Sequence, residues 1–320
     1  MTNNSHNNIE FSVVIPLYKC SGTLEELCDR LLLVFKKLNK EFEIILVNDA
    51  SPENDWEISS KLSKTNKNIK SISLSRNFGQ HPAIFCGLKY TSGNWIIVMD
   101  GDLQDQPEEI EKLYYKTKEG FDIVVAKRTI RNDSFFKKLS SRLFYTFLSY
   151  LTGSEQDKSV ANFGIYSSKV IKVLNSSNEN VRYFPTMVRW IGFKNTKIDV
   201  KHSSREEGNS SYNFKRLFDL AIDIIIVNSD KPIKLLIKSG LIVSLLSFLI
   251  ALYYFITWLK GDIVVLGYAS LVISIWLLSG FLISTLGIIG LYVGKIFQQV
   301  KDRPVFIIDK KINFSKAKEN

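Results

Sequence analysis

WIIVMDGDLQDQP, residues 95–107, is the stretch that decides how the rest of the chain is read. Trp95–Met99 has the short, apolar make-up of a buried strand, and it runs directly into Asp100, Asp102 and Asp105 with Gln104 between them. A buried strand ending in closely spaced oxygen donors suits a divalent cation held against a diphosphate, because Mg²⁺ takes hard oxygen ligands and is usually shared with substrate phosphates. The same residues also fit a solvated turn into a helix, with Pro107 at its first position and Glu108 and Glu109 favoured by the helix dipole. The surrounding sequence arbitrates.

Upstream, strands alternate with helices. Glu10–Ile15, Phe42–Val47 and Ile69–Ser75 have strand composition, and helices are expected over 21–39, 53–65 and 80–91. In the first helix Leu24, Leu27, Leu31, Val34, Phe35 and Leu38 recur at helical spacing. Downstream a helix is expected over 107–118, a strand over Phe121–Ala126, an edge strand over Ala161–Tyr166, a short helix over Ser167–Leu174 and a strand over Lys194–His202. This alternation predicts an α/β domain with a mostly parallel sheet and helices on both faces. Ligands of such sheets sit beyond the carboxyl ends of the strands, and Asp49, Arg76, Asp100, Asp102 and Arg128 all fall just after strand ends. Neither GxxxxGK[ST] nor a GxGxxG after the first strand is present, so side chains and a metal must hold any nucleotide phosphates.

The last third has a different composition. Ser239–Leu259 and Ile263–Gly294 are runs of 21 and 32 residues without a charge, longer than the roughly 20 residues that cross a bilayer as a helix. A transmembrane hairpin is expected at about 236–259 and 264–292, dividing the chain into a domain over 1–230, a hairpin over 231–296 and a tail over 297–320. Lys231, Lys234 and Lys238 precede it and Lys295, Lys301 and Arg303 follow it, which places both termini in the cytoplasm by the positive-inside rule. Pro304–Ile308 has strand composition, and Asp309–Asn320 is expected to fray. The polar start, MTNNSHNNIEF, holds no apolar signal segment.

Segments 134–151 and 212–227 are amphipathic, with aromatic residues beside bases, and suit helices lying in the headgroup layer. The formal charge of +10 therefore points to a membrane surface rather than to nucleic acid, for which no motif occurs in its expected context. Cys20, Cys28 and Cys86 lack metal-ligand spacing and are expected to be packing residues. Gly290 and Gly294 form a GxxxG pair that allows close helix packing, within the hairpin or between protomers of a homo-oligomer.

Seven pieces in order, VVIPLYKC at 13–20, ILVNDASPEN at 45–54, LSRNFGQHPAIFCGL at 74–88, VMDGDLQDQPEEI at 98–110, AKRTIR at 126–131, NFGIYSSKV at 162–170 and REEGNSSY at 205–212, resemble glycosyltransferase family 2 with the GT-A fold. With the hairpin they resemble its polyprenyl-phosphate glycosyltransferase branch. The resemblance implies a nucleotide-sugar donor, probed by the region of Pro16 and Tyr18 and by Asp49 at the nucleobase, by Arg76, and by Asp100 at the ribose and diphosphate. It implies Mg²⁺ or Mn²⁺ on Asp102, with Gln104 as a further ligand and Asp100 acting through the diphosphate or water. It implies a polyprenyl phosphate acceptor received by Arg128, Arg131, Arg142 and Arg205, on the cytoplasmic face of the plasma membrane.

Two positions depart from the family pattern. Asn48 stands where an aspartate is common, and Asn162 and Gly164 replace an aspartate and an arginine, which leaves Asp157 as the nearby carboxylate candidate. No base is needed for deprotonation, since a phosphate monoester has a second pKa of about 6, and a single displacement inverts the anomeric carbon. Two alternatives stand beside this reading: transfer to a lipid-linked oligosaccharide or another glycan precursor, and an inactive membrane-anchored binding protein. A processive synthase is disfavoured, because Thr186 occupies the glutamine position of QxxRW before Arg189 and Trp190.

Overall fold

The computed structural model describes residues 9–128, 160–177, 184–201, 231–260, 267–301 and 303–314. The chain divides into two compact units, Met1–Asn132 with Asp157–Asn209 and Arg303–Asn320, and Asp133–Gln156 with Ser210–Asp302.

The first unit alternates strand and helix as the apolar spacing predicts: β1 (Phe11–Leu17), α1 (Leu24–Leu38), β2 (Phe42–Asn48), α2 (Asp55–Thr65), β3 (Ile69–Leu74), α3 (Gln80–Leu88) and β4 (Trp95–Val98). Leu24, Leu27, Cys28, Leu31, Val34 and Phe35 form the buried face of α1. Glu25 and Glu26 lie in its first turn and Lys36 and Lys37 in its last, signs that suit the helix dipole. Asn39 ends it in the left-handed conformation, its N–H bonded to the Lys36 carbonyl. After β4, a 3₁₀ turn at Pro107–Glu109 leads into α4 (Ile110–Thr117), then β5 (Ile123–Arg128), β6 (Val160–Ser167), α5 (Ser168–Ser176), α6 (Phe184–Trp190) and β7 (Asn195–Val200).

These strands and the tail strand β8 (Ile308–Ile312) form one eight-stranded sheet of order β7-β5-β6-β4-β1-β2-β3-β8. The sheet is mixed: most strands run the same way, as expected, with β6 and β8 opposed to them. β1 runs parallel to β2 and β4, β2 to β3 and β5 to β7, whereas β6 is antiparallel to both β4 and β5, and β8 to β3. β6 is also not the edge strand its sequence suggests. It lies inside the sheet, with Phe163 and Ile165 packed on one face and Tyr166 on the other. The tail does not fray immediately after Ile308: Ile312 pairs with Ser71, and Asn313 Nδ2 donates to the carbonyls of Asn66, Lys67 and Ile69 at 3.2, 3.0 and 2.8 Å.

Both faces of the sheet are covered. α1 and α4 pack on Phe11, Val13, Ile15, Ile44, Leu46 and Ile97, while α3, α5 and α6 pack on Val14, Ile96, Val98, Ile123 and Tyr166. Each fully buried side chain of this size contributes about 1.5–3 kcal/mol. Cys20, Cys28 and Cys86 are buried free thiols, as expected.

The second unit contains α7 (Lys231–Leu259) and α8 (Tyr268–Val300) among the described residues. Ile233–Ile250 and Ser274–Gly294 are each long and apolar enough to cross a membrane, and neither window is buried. Large apolar side chains along them face outward, among them Leu241, Phe248, Trp276 and Leu286. Thr257, Ser284 and Thr285 hydroxyls donate to carbonyls four residues back in their own helix, so these polar groups are satisfied without water. A Cβ added at Gly280, Gly287, Gly290 or Gly294 would meet nothing within 4 Å, so these glycines do not serve a close contact between α7 and α8. The segments 134–151 and 212–227 and the hairpin turn lie outside the described residues.

Candidate active site

The parallel strands β3, β2, β1 and β4 lie side by side and end at one edge of the sheet. Asp49 follows β2, Asp100 and Asp102 follow β4, Tyr18 follows β1, and Arg76 follows β3. Pro16 is the penultimate residue of β1, buried and opposite Val47. Three non-glycine residues with positive φ mark this edge: Lys19 at 60°, Ala50 at 47° and Leu103 at 57°. Such backbone is uncommon outside glycine and costs of order 1–3 kcal/mol per residue, so it persists where the surroundings over-determine it.

Hydrogen bonds tie these turns together. The Asp49 backbone N–H donates to the Leu17 carbonyl at 3.0 Å, and the Lys19 N–H to Ser51 Oγ at 3.0 Å. The buried carboxylate of Asp49 accepts the Phe78 N–H at 2.7 Å on one oxygen and the Gly79 N–H at 2.8 Å on the other. Burial pushes the Asp49 carboxyl above its ordinary pKa, and these two amides partly offset it. Asn48 serves two neighbours. Its Oδ1 accepts the Ser51 N–H at 3.1 Å while its Nδ2 donates to Ser73 Oγ at 3.3 Å.

Around β4, Gln80 Nε2 donates to Asp100 Oδ1 at 2.7 Å, and the Gln104 N–H to Asp102 Oδ1 at 3.2 Å. Thr23 Oγ1 donates to the Gly101 carbonyl at 2.7 Å, and the buried Asp55 carboxylate accepts the Cys20 N–H at 3.0 Å. Gly101 is required here for packing, because a Cβ would lie 3.0 Å from Cys20 Sγ and 3.3 Å from Leu17 Cδ2. The Cys20 thiol is pushed up to about 12, first by burial and further by the carboxylates of Asp55, Asp102 and Asp100. Asp105 is fully buried.

Among the described residues no group of three or more His, Cys, Asp or Glu side chains is arranged to hold a metal. Burial lowers His81 to about 4, so it is neutral at neutral pH and brings no positive charge to the edge. The Arg76 guanidinium stacks 4.7 Å from the Phe78 ring centroid, leaving its exposed donors outward.

The structure therefore brings Pro16, Tyr18, Asp49, Arg76, Asp100, Asp102 and Gln104 to one edge. Arg128 ends β5 opposite Val200, and because β5 is antiparallel to β6 and β6 to β4, its backbone reaches that same edge. Arg131, Arg142, Asp157 and Arg205 lie outside the described residues. Thr23, Asp55 and Gln80 escape sequence reasoning. Gln80 lies within the piece at 74–88 that resembles the family, but nothing in its spacing shows that its amide reaches the end of a strand three places away.

Comparison with known proteins follows the geometry. The profile of glycosyl transferase family 2 matches residues 12–175. The chain is 34% identical to the uncharacterized glycosyltransferase YkcC of Bacillus subtilis (strain 168), over 95% of this chain and 94% of that one. It is 31% identical to the undecaprenyl-phosphate 4-deoxy-4-formamido-L-arabinose transferase of Photorhabdus laumondii, over 97% and 96%. Among solved structures it aligns with residues 1–349 of S. aureus TarS in complex with UDP-GlcNAc at 22% identity and a TM-score of 0.47, over 69% of this chain and 68% of that one. On the profile match and the near full-length relatives, the chain belongs to glycosyl transferase family 2 and has a GT-A-like α/β domain built on a mixed sheet.

Proposed function

We propose that this protein transfers a sugar from a nucleoside diphosphate sugar, UDP-linked, to the phosphate of a polyprenyl phosphate such as undecaprenyl phosphate, inverting the anomeric carbon. The observation that carries the reading is the gathering of Asp49, Asp100 and Asp102 at the carboxyl ends of the adjacent parallel strands, with residues 78–80 bonded to both Asp49 and Asp100. The relative from Photorhabdus, named for an undecaprenyl-phosphate substrate, supports the choice of acceptor.

The donor half of the reading follows from the donor atoms available. Asp49 spends one lone pair per oxygen on loop amides and keeps others for a nucleobase N–H. Tyr18, 46% exposed, offers a ring beside it. Asp100, whose Oδ1 accepts Gln80 Nε2, stands for the contact to the ribose and diphosphate.

Asp100 and Asp102, two residues apart after β4, repel a diphosphate unless a cation is shared between them, and their hard oxygens suit Mg²⁺ or Mn²⁺ on Asp102, with Gln104 and Asp100 behind it. Such ions are held by one or two carboxylates plus substrate phosphates, so a self-contained cluster of three side chains is not needed. Bound there, the ion would neutralise charge developing on the departing diphosphate. The acceptor side draws on Arg128, Arg131, Arg142 and Arg205, whose planar forks match phosphate. Asp157 is a further carboxylate candidate. The dianionic acceptor attacks through its own oxygen, so these residues position it and need not deprotonate it.

The reading places the protein in the plasma membrane, with α7 and α8 crossing, both termini cytoplasmic, and residues 1–230, 231–296 and 297–320 as domain, hairpin and tail. The segments 134–151 and 212–227 would hold the site at the headgroup plane where the acceptor phosphate lies. Self-association through the glycine face of α8 completes the assembly, and cross-linking in native membranes checks it.

The test is incubation of the purified full-length protein with undecaprenyl phosphate, Mn²⁺ and a panel of nucleotide sugars, with mass spectrometry of the lipid. A glycosyl phosphate lipid is expected. Product only on lipid-linked oligosaccharides would move the acceptor, and no turnover of any donor would leave the protein a binding module.

A further inference from the structure

The tail strand enters the sheet at the edge that bears the candidate site. Ile308 pairs with Leu74, the last residue of β3, and the Ser75 N–H donates to the Ile307 carbonyl at 2.9 Å. Ser75 is the root of the loop 75–80. Phe306 and Ile308 of the tail and Phe78 of the loop each pack against the same buried cluster of Ile45, Val47, Ile72, Leu74, Ala83 and Cys86. The loop is then committed to the site twice, through the Phe78 and Gly79 amides on Asp49 and through Gln80 on Asp100. Gly79, at φ +102°, adopts backbone that an L side chain rarely takes, so the loop's course depends on what surrounds it.

We propose that residues 306–308 of the tail are a positioning segment for the donor side of the active site, holding the loop 75–80 in the conformation that presents Gln80 to Asp100. This rests on the donor reading above. It deepens that reading by making nucleotide affinity depend on a segment that follows the apolar helices and lies far outside the residues matched by the family profile. A main-chain bond at the loop root and an apolar cluster shared with Phe78 act together: each restricts a segment that would otherwise sample many conformers. It also follows that cutting the chain before the hairpin removes β8, so such a truncation tests donor binding as much as membrane anchoring.

The test uses the full-length protein in detergent or nanodiscs. Phe306→Ala and Ile308→Ala loosen the loop end of β8, whereas Asn313→Ala loosens its far end, where the side chain bonds Asn66, Lys67 and Ile69. Hydrogen–deuterium exchange of the peptide spanning 75–80 and titration calorimetry with UDP and Mn²⁺ are read on all three, with thermal midpoints recorded to match stability. The first two variants are expected to speed exchange over 75–80 and to weaken UDP binding about tenfold, while Asn313→Ala changes affinity by less than about twofold. Phe306→Leu, which keeps an apolar side chain at that position, should restore both. Unchanged exchange in Phe306→Ala and Ile308→Ala overturns the proposal, as does faster exchange with unchanged affinity, or an equal effect of Asn313→Ala. If the unmodified protein binds no UDP, the donor reading fails on its own, and the exchange measurement still decides whether the tail holds the loop.

Discussion

At the amino ends of the parallel strands, Ser12, Glu43, Lys70 and Ser92 close into a saturated network, whereas at the carboxyl ends of the same strands carboxylates gather and the backbone is strained. Glu43, 1% exposed, accepts Ser12 Oγ at 2.6 Å, the Ser92 N–H and Oγ at 2.7 Å each, and Lys70 Nζ at 2.5 Å. Burial alone would raise the Glu43 carboxyl, but Lys70, Ser12 and Ser92 overcome it and hold it below its ordinary value. At the other end Asp49 is raised, and Lys19, Ala50 and Leu103 have positive φ. Similar strand geometry therefore supports different ends, a closed hydrogen-bonded network at one and, at the other, carboxylates that follow strands beside turns of positive φ.

The largest effect should come from the carboxyl end. Asp102→Ala is expected to lower metal-dependent turnover about 10³-fold while the thermal midpoint and membrane insertion stay unchanged. Turnover in this variant with unaltered Mn²⁺ dependence would remove Asp102 from the cation's ligands. Next, Glu43→Ala leaves Lys70 and two hydroxyls without their acceptor and should cost about 3 kcal/mol of stability, with turnover per folded molecule retained. Urea unfolding paired with an assay at low temperature reads both quantities, and a loss of turnover without a loss of stability would erase the contrast between the ends.

Smaller effects sharpen the comparison. A Cβ at Gly93 would lie 2.7 Å from the Ser12 nitrogen and 2.8 Å from the Phe11 carbonyl carbon, so Gly93→Ala should destabilise by about 1–3 kcal/mol, read as a lower thermal midpoint.

The two ends also titrate with opposite sign. Glu43 has a depressed pKa, so its contribution to stability is full above the free glutamate value of about 4.3 and is lost as pH falls through its lower folded value. Asp49 has a raised pKa, so its contribution is full below about 3.9, the free aspartate value, and is lost as pH rises through its higher folded value. Acid unfolding of Glu43→Gln and Asp49→Asn against the parent should show shifts of opposite direction. Smallest of all, the exposed pair of Arg30 with Glu108, 2.7 Å apart, should change stability by no more than about 0.5 kcal/mol in Arg30→Ala.

Much of the first unit was legible in the sequence because its signals are local. The 3.6-residue spacing in α1, the apolar runs of β1 to β4 and the uncharged lengths of α7 and α8 depend only on which residues follow one another. Asp49, Asp100 and Asp102 were legible too, as polar residues directly after strands.

Strand pairing was not legible. ANFGIY has the same apolar composition whether it lies at an edge or inside, parallel or antiparallel, and only its insertion between β4 and β5 decided that the sheet is mixed. The tail was misread for the same reason: IDKKI is polar on its own, and it is held because β3 offers it a hydrogen-bonding edge and Asn66, Lys67 and Ile69 offer carbonyls to Asn313. Thr23 on Gly101 and Gln80 on Asp100 join residues 78 and 20 positions apart. Sequence alone thus determined which segments are strands and helices and which carboxylates stand at strand ends, because those follow from short-range periodicity. Tertiary structure decided strand order, the direction of β6, the capture of the tail and the bonds that aim the site, because each depends on which distant backbone edge or side chain is near enough to accept a hydrogen bond.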